Sequence, residues 1–241
     1  QLSLDGALFY NDYTDQQIGV QVNQTGAAGT IVAVPGIVNA GAVETQGLEL
    51  SADWFPHERL NLNFGYTYTD ATFKTYVQGP SPTAGPGAFA ACGVPEGQTS
   101  SPQIRAEAGN ACADFSGNRV PKNPKHAINF GALYRAPLGR DGNSWFIELD
   151  GMYRSKRYLS ESNIAWMPSY TSFELRGGVD LGRFSVIGFV DNLTDADSIR
   201  SAQRNVDPGN PEGFAPGRAA IAYLPEPRTF GLRVIYRFSY R

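Results

Sequence analysis

The ten residues LNLNFGYTYT, numbered 60–69, alternate without exception between two kinds of side chain. Even-numbered positions carry Leu, Phe or Tyr, whereas odd-numbered positions carry Asn, Gly or Thr. Successive side chains of a β-strand point to opposite faces of the sheet, so a period of two predicts a strand with one apolar and one polar face. Residues 230–241 repeat this pattern, and Ile235 is the single exception.

Six further segments alternate in the same way with more exceptions. We therefore predict eight strands, near residues 2–13, 45–54, 60–73, 126–136, 145–155, 170–181, 184–193 and 228–240. In residues 184–193 the register stays open, because Ile187 and Phe189 compete with Phe184, Val186 and Val190 for the apolar face. Strands of about ten residues exceed the usual five or six of soluble sheets and match the ~9–11 residues of a tilted strand that crosses a bilayer.

The connections between these strands alternate in length. Short ones cover residues 55–59, 138–144 and the turn at Gly182, and long ones cover residues 14–43, 74–124, 156–169 and 194–227. Strict alternation puts all long connections on one side, as in outer-membrane barrels with short periplasmic turns and long extracellular loops. Both ends of the chain are then expected on the periplasmic side.

The polar face carries charges of both signs. They are Glu49, Asp53, Arg135, Glu148, Asp150, Arg154, Glu174, Arg176, Asp180, Arg233 and Arg237. Such a mixture would be costly in a dry core but is tolerated in a lumen that holds water. The apolar face ends in aromatic residues, as expected where hydrocarbon meets headgroups. These are Trp54, Tyr134, Trp145, Phe184, Phe238 and Tyr240 beside the short turns, and Tyr10, Tyr68 and Tyr153 toward the long loops. The pattern predicts an all-β fold, an antiparallel transmembrane β-barrel.

Composition excludes several other classes of protein. The 241 residues carry 20 basic and 23 acidic side chains, so a net charge of −3 gives no basis for binding nucleic acid. The longest apolar runs, residues 31–38 and 219–224, are far shorter than the ~18 residues of a membrane-spanning helix. The first residues already have the pattern of a strand and lack the features of a signal peptide. We therefore expect this sequence to be the later part of a longer chain.

Short motifs along nearly the whole chain resemble those of TonB-dependent outer-membrane receptors, in the C-terminal part of their barrel. They are TQGLEL (45–50), GYTYTDA (65–71) followed by Phe73, RVP (119–121), PKH (124–126), YRS (153–155) with Arg157 and Tyr158, DNLTD (191–195), and PRTFGL (227–232) leading to Phe238. Each motif is weak alone, and their order and spacing carry the resemblance. Residues 239–241 depart from the family pattern, which typically ends at the final Phe.

The resemblance implies a barrel of the 22-stranded class with a plugged lumen, of which this chain supplies the last eight strands. The N-terminal plug domain and the segment that contacts TonB are absent from the sequence. Implied partners are that plug, the remaining barrel strands, the TonB–ExbB–ExbD complex, and outer-membrane lipid and lipopolysaccharide. The implied function is active uptake of a scarce small-molecule ligand such as a ferric siderophore, a vitamin or an oligosaccharide. The alternative is a small eight-stranded barrel, closed on itself, with a structural or adhesive role.

Catalytic and metal-binding patterns are not found in the sequence. His57 and His126 lie apart from any serine–aspartate pair, and we expect neither an enzyme nor a cofactor. The carboxylates of residues 191–197 lack the glycine and the late glutamate of a calcium loop, so turn capping is the preferred interpretation and no metal is predicted. Cys92 and Cys112 share one loop, and a disulfide is preferred over two free thiols in an extracellular setting.

Ligand identity is not encoded in any motif of this chain. A few residues at or above the extracellular rim have side chains that suit an anionic or planar ligand. They are Arg154, Arg157, Trp166, Arg200 and Arg204. Solvated loop charge, or charge facing lipopolysaccharide, is the competing interpretation for each of them.

Overall fold

The computed structural model describes residues 1–25, 31–39, 41–78, 104–107, 110–139, 142–206 and 216–238. All regular structure in these residues is β. In chain order the strands are β1 (Leu2–Tyr13), β2 (Gln17–Thr25), β3 (Ile31–Asn39), β4 (Ala42–His57), β5 (Leu60–Thr75), β6 (Val77–Gln78), β7 (Ile104–Glu107), β8 (Asn110–Asp114), β9 (His126–Pro137), β10 (Ser144–Arg154), β11 (Arg157–Tyr158), β12 (Trp166–Met167), β13 (Tyr170–Leu181), β14 (Phe184–Asp191), β15 (Ser201–Val206), β16 (Pro216–Tyr223) and β17 (Thr229–Tyr236).

Eight long strands form one antiparallel sheet in the order β1-β4-β5-β9-β10-β13-β14-β17. Each strand pairs with the next one of the sheet along the chain, so the topology is an up-and-down meander. This confirms the predicted fold class. The two edge strands, β1 and β17, pair on one side only within the described residues, and a barrel closed by these eight strands would join them.

The long connections carry small sheets of their own. These are the pairs β2-β3, β11-β12 and β15-β16 and the three-stranded sheet β6-β8-β7. Alternation does not reveal them, because segments such as β3 are apolar runs interrupted by Pro35 and Gly36 rather than period-two patterns. The short connections are tight turns, and Gly182 adopts a positive φ of 61° in one of them. No helix among the described residues has the length and apolar character needed to cross a membrane.

Residues paired across neighbouring strands share a face, so the register assigns every side chain to one of two surfaces. The outward surface is apolar and open, with Leu8 at 84% and Leu232 at 71% exposure. The register also settles β14, where Val186 faces outward beside Val234, and Ile187 faces inward beside Arg233. An exposed, continuous apolar face of this extent is what a bilayer covers.

Aromatic rings line the outward surface near the short turns. Tyr134 and Trp145 lie with ring centroids 5.4 Å apart, and Phe184 and Tyr236 lie 4.7 Å apart. Tyr240, also predicted for this belt, lies outside the described residues. The observed pairs lie at the short-turn ends of the strands, where the sequence predicts a belt of aromatic rings.

A compact apolar cluster forms at the ends of β4 and β5 from which the long connections leave. Val43, Phe73 and Tyr76 are buried there and pack with Phe115 and Val120. The Phe73 and Tyr76 rings are 4.9 Å apart. This cluster anchors the start of the long connection between β5 and β9.

Candidate functional site: the inner wall and its extracellular mouth

The inward surface collects all of the charged residues predicted for the lumen. Glu49 pairs with Thr67, Thr67 with Ala127, and Ala127 with Arg154, so one face continues from β4 to β10. The register puts the other charged residues, through β13, β14 and β17, on this same inward face. The inner wall is therefore polar and charged, as a watery or protein-filled lumen allows.

Arg176 stands at the centre of an acidic group on this wall. Its guanidinium nitrogens lie 3.6 Å from Glu148, 3.4 Å from Asp150 and 3.1 Å from Glu174. Because each of these side chains is partly exposed, a single pair contributes little to stability. One cation among three carboxylates leaves the patch net negative. The adjoining cavity of about 390 Å³ is also lined by Arg233.

Arg154 lies on the inward face at the extracellular end of β10. Its Nη1 donates to the carbonyl oxygen of Ile128 at 3.0 Å, and its Nη2 donates to Asn129 Oδ1 at 3.0 Å. The register sets Arg154 opposite Tyr170, the first residue of β13. These contacts fix the guanidinium against the wall, and all of its acceptors are neutral.

Arg157 lies one short step further along the chain, in β11, and is only 7% exposed. Its Nη1 donates to the carbonyl oxygen of Arg200 at 3.1 Å, and its Nη2 donates to that of Ile199 at 3.4 Å. The guanidinium carbon is 4.9 Å from the centroid of the Tyr170 ring. The buried Nε has no hydrogen-bond partner.

Arg200 reaches the same ring from the connection that follows β14. Its guanidinium carbon is 6.0 Å from the Tyr170 centroid, and its Nη2 donates to Ser172 Oγ at 2.9 Å. The structure therefore brings two of the predicted residues, Arg157 and Arg200, to one tyrosine, whereas the guanidinium of Arg154 turns to Ile128 and Asn129 of β9. We call Arg157, Arg200, Tyr170 and Ser172 the arginine–tyrosine cluster.

Two other candidates do not join this cluster. Trp166 is 57% exposed, and Lys156 Nζ lies 4.6 Å from its ring centroid. The side chain of Arg204 lies outside the described residues. Sequence reasoning missed Tyr170 and Ser172, although their alternation with Glu174 and Arg176 places them on the inward face.

The outward surface becomes polar above the apolar region. Lys74 Nζ lies 2.8 Å from Asp12 Oδ2 and 3.7 Å from Glu44 Oε2. The Tyr10 hydroxyl donates to Glu44 Oε2 at 3.0 Å. These groups lie at the ends of β1, β4 and β5 from which the long connections leave.

A second outward polar group surrounds the start of β9. Lys125 Nζ lies 3.4 Å from Asp70 Oδ2, and Tyr66 and His126 are joined by a hydrogen bond of 2.9 Å. The Tyr68 hydroxyl and the Asp70 carboxylate raise the pKa of Lys125 above its ordinary value. Both partners favour the charged ammonium form, so this cation persists at the extracellular rim.

The DNLTD segment forms a turn that closes on itself. Asn192 has a φ of 50°, accepts a hydrogen bond from the Ala196 backbone at 2.9 Å, and donates to the carbonyl oxygens of Ala196 and Glu226. Asp195 Oδ1 accepts from the Arg228 backbone N–H at 2.9 Å. Among the described residues no group of three potential metal ligands assembles, here or elsewhere. The side chains of this motif thus cap the backbone.

The predicted disulfide falls outside what can be described. Cys92 belongs to a segment beyond the described residues, and Cys112 is described only in its backbone, within β8. The pairing of Cys92 with Cys112 stays a prediction.

Comparison with known families identifies the sheet. The family model for the β-barrel of TonB-dependent receptor-like proteins matches residues 1–193. The chain belongs to the TonB-dependent receptor family. Receptors of this family are outer-membrane β-barrel proteins of Gram-negative bacteria, which agrees with the exposed apolar face and its aromatic belt. No curated protein sequence matches the chain.

Solved structures give the same fold for this receptor chain. The ferric yersiniabactin uptake receptor FyuA from Yersinia pestis has a TM-score of 0.63 at 18% identity, over 98% of this chain and 28% of that one. The siderophore receptor PiuA from Acinetobacter baumannii has a TM-score of 0.60 at 19% identity, over 98% and 26%. The ferric-catecholate import receptor Fiu from K12 E. coli has a TM-score of 0.55 at 18% identity, over 98% and 25%. The chain spans little more than a quarter of the length of these relatives.

Proposed function

We propose that this protein is a TonB-dependent outer-membrane transporter that takes up a scarce ligand, such as a ferric siderophore, a vitamin or an oligosaccharide. The observation that carries the proposal is the family match over residues 1–193. The sheet is consistent with it, because one face is apolar, the other is charged, and the long connections lie at one end. Of the three ligand classes, the first is favoured by the ligands named for FyuA, PiuA and Fiu, which are ferric yersiniabactin, a siderophore and a ferric catecholate.

The proposal includes partners beyond this chain. The remaining barrel strands would pair with the edges at β1 and β17, and a plug domain would fill the lumen against the charged inner wall. The TonB–ExbB–ExbD complex would supply the energy through the plug. Outer-membrane lipid and lipopolysaccharide would cover the outward face, with the polar groups around Lys74 and Lys125 at headgroup level.

Uptake in whole cells tests the function. A deletion strain and its complemented parent would be compared for accumulation of radiolabelled ferric siderophores, cobalamin and maltodextrin. We expect the gene to restore accumulation of one ligand, and removal of TonB or a proton uncoupler to abolish it. Accumulation that persists without TonB would contradict the proposal, because passive passage needs no energy from the inner membrane.

The native size of the polypeptide tests the architecture separately. The protein would be extracted from the outer-membrane fraction, and its mass and heat-modifiable gel migration measured. A mass several tens of kilodaltons above the 26.1 kDa of this chain is expected for a plugged receptor. A heat-modifiable species of 26.1 kDa would instead indicate an eight-stranded barrel closed on itself.

A further inference from the structure

Three arginines of the inner wall, Arg135, Arg176 and Arg237, have acidic partners, but Arg154 and the arginines of the arginine–tyrosine cluster do not. Arg176 is surrounded by carboxylates, and Arg135 pairs with Asp180 at 2.7 Å. Within the described side chains, Arg154, Arg157 and Arg200 form no ion pair. Their hydrogen bonds go only to neutral acceptors: carbonyl oxygens, one amide and one hydroxyl. The cluster therefore concentrates positive charge without compensation.

Burial makes this arrangement costly for Arg157. The residue is 7% exposed, and its buried Nε lacks any acceptor. A buried charge is ordinarily paired, because leaving water without an opposite charge costs several kcal/mol. An anion bound beside the guanidinium would supply the missing opposite charge.

The cluster is also held in place before any ligand arrives. Arg157 and Arg200 contact the same Tyr170 ring, and Ser172 holds one terminal nitrogen of Arg200. A guanidinium presents a planar set of donors that fits a carboxylate with two parallel hydrogen bonds. Because these side chains are already ordered, binding loses little additional side-chain entropy.

Electrostatics along β13 favour anion binding at the mouth over the deeper lumen. Tyr170 and Arg176 are six residues apart on one face, roughly 20 Å along the strand. The mouth holds the three unpaired arginines, whereas the net negative patch of Glu148, Asp150 and Glu174 lies below. An anionic ligand is thus attracted to the upper position and repelled from the lower one.

We propose that the arginine–tyrosine cluster is an anion-binding site, and that it receives a carboxylate group of the transported ligand. That the bound ligand is transported rests on the proposed uptake function. The site narrows this ligand to molecules that carry an ionised carboxylate. The binding of an anion by the cluster is a property of these residues alone.

Equilibrium dialysis of the complete, detergent-extracted gene product tests the site with radiolabelled citrate as the probe. Arg200→Gln and Arg157→Gln each remove one cluster charge, and Arg59→Gln removes an exposed charge at a short turn on the opposite end. We expect saturable citrate binding that either cluster variant weakens by roughly tenfold or more, the loss of one charge-assisted contact. Arg59→Gln should match the parent, and neutral triethyl citrate should not compete.

Heat-modifiable gel migration verifies that each variant is folded. A further variant, Arg200→Lys, retains the positive charge but lacks the planar set of donors of the guanidinium. Intermediate affinity for Arg200→Lys is expected. The proposal is overturned if citrate does not bind saturably, if the folded Arg200→Gln variant binds as the parent does, or if Arg59→Gln weakens binding equally. Failure of the uptake function would instead show in the TonB assay, where citrate binding plays no part.

Discussion

Arg135 and Asp180 form an ion pair across an intervening strand: Arg135 Nη1 of β9 lies 2.7 Å from Asp180 Oδ2 of β13, with β10 between them. Ser144 of β10 accepts a hydrogen bond from the same Nη1 at 3.1 Å. Asp180 also accepts from the Ser185 hydroxyl in β14, and Arg237 lies 4.0 Å away. One carboxylate thus ties together the periplasmic ends of several strands.

Replacing this carboxylate should destabilise the sheet measurably. In Asp180→Asn the two arginines lose their counter-charge. Because a hydrogen bond to a charged group contributes more to stability than one between neutral groups, we expect the free energy of unfolding to fall by about 1–2 kcal/mol. Urea unfolding of the folded protein in detergent measures this. Asp53→Asn, at an inward carboxylate with no ion pair among the described residues, should change it by much less. If Asp180→Asn and Asp53→Asn lower the free energy of unfolding equally, the loss comes from removing any inward carboxylate and not from breaking this ion pair.

Two inward glycines of the β4–β5 hairpin should respond oppositely to alanine. A Cβ on Gly47 would lie 2.1 Å from the Tyr68 carbonyl oxygen and 2.4 Å from Phe9 Cζ, whereas a Cβ on Gly65 would have no atom within 4 Å. We expect Gly47→Ala to cost about 1–3 kcal/mol through overpacking. Gly65→Ala should be neutral or slightly stabilising. The measurement is the temperature at which each variant loses the gel migration of the folded form. Similar temperatures for the two variants would contradict the claim that Gly65 has free space and Gly47 has none.

Adjacent positions of β4 test the assignment of the lipid face. Leu50 faces outward, and Ser51 shares the inward face with Asp5 and Glu49. Arginine at position 50 should cost ~2–4 kcal/mol near the bilayer midplane, whereas arginine at position 51 finds water and carboxylates. Folding into lipid vesicles, followed by urea titration, measures both variants. A larger loss for Ser51→Arg would reverse the assigned faces.

Asn192 should matter far more than its exposed neighbour Asp197. It is 5% exposed and donates two hydrogen bonds, to Ala196 at 3.0 Å and to Glu226 at 2.9 Å. Asn192→Asp removes both donors and buries a carboxylate, so we expect a loss of about 2 kcal/mol and faster proteolysis near Glu226. Limited proteolysis and urea unfolding would detect it. Asp197→Asn is the matched control, and the prediction fails if both variants behave alike.

Local alternation was enough to predict the large sheet, because each of its strands has one lipid-facing and one lumen-facing side. It was ambiguous in β14, where apolar Ile187 and Phe189 lie inward. There the pairing of Ile187 with Arg233 decides the face. The sequence does not distinguish the two inward glycines either: Gly65 has open space beside it, whereas the space beside Gly47 is taken by Phe9 from the neighbouring strand.

The candidate site, too, was predictable from the sequence only in part. The sequence suggests that arginines near the extracellular rim are available for a ligand, since their charge and position are local properties. It does not indicate that Arg157 is buried or that Trp166 stands apart from it. Both facts depend on where the long connections fold back over the sheet.

By itself the sequence determined the all-β class, the membrane-facing side of most strands and the family, because period-two patterns and short motifs act over a few residues. Only the tertiary structure decided the register of β14, the small sheets of the long connections, and the meeting of Arg157 and Arg200 at Tyr170. The reason is physical: contacts between Arg157 and Arg200, distant in the chain, form only when strand pairing has set the positions of β10, β13 and β14.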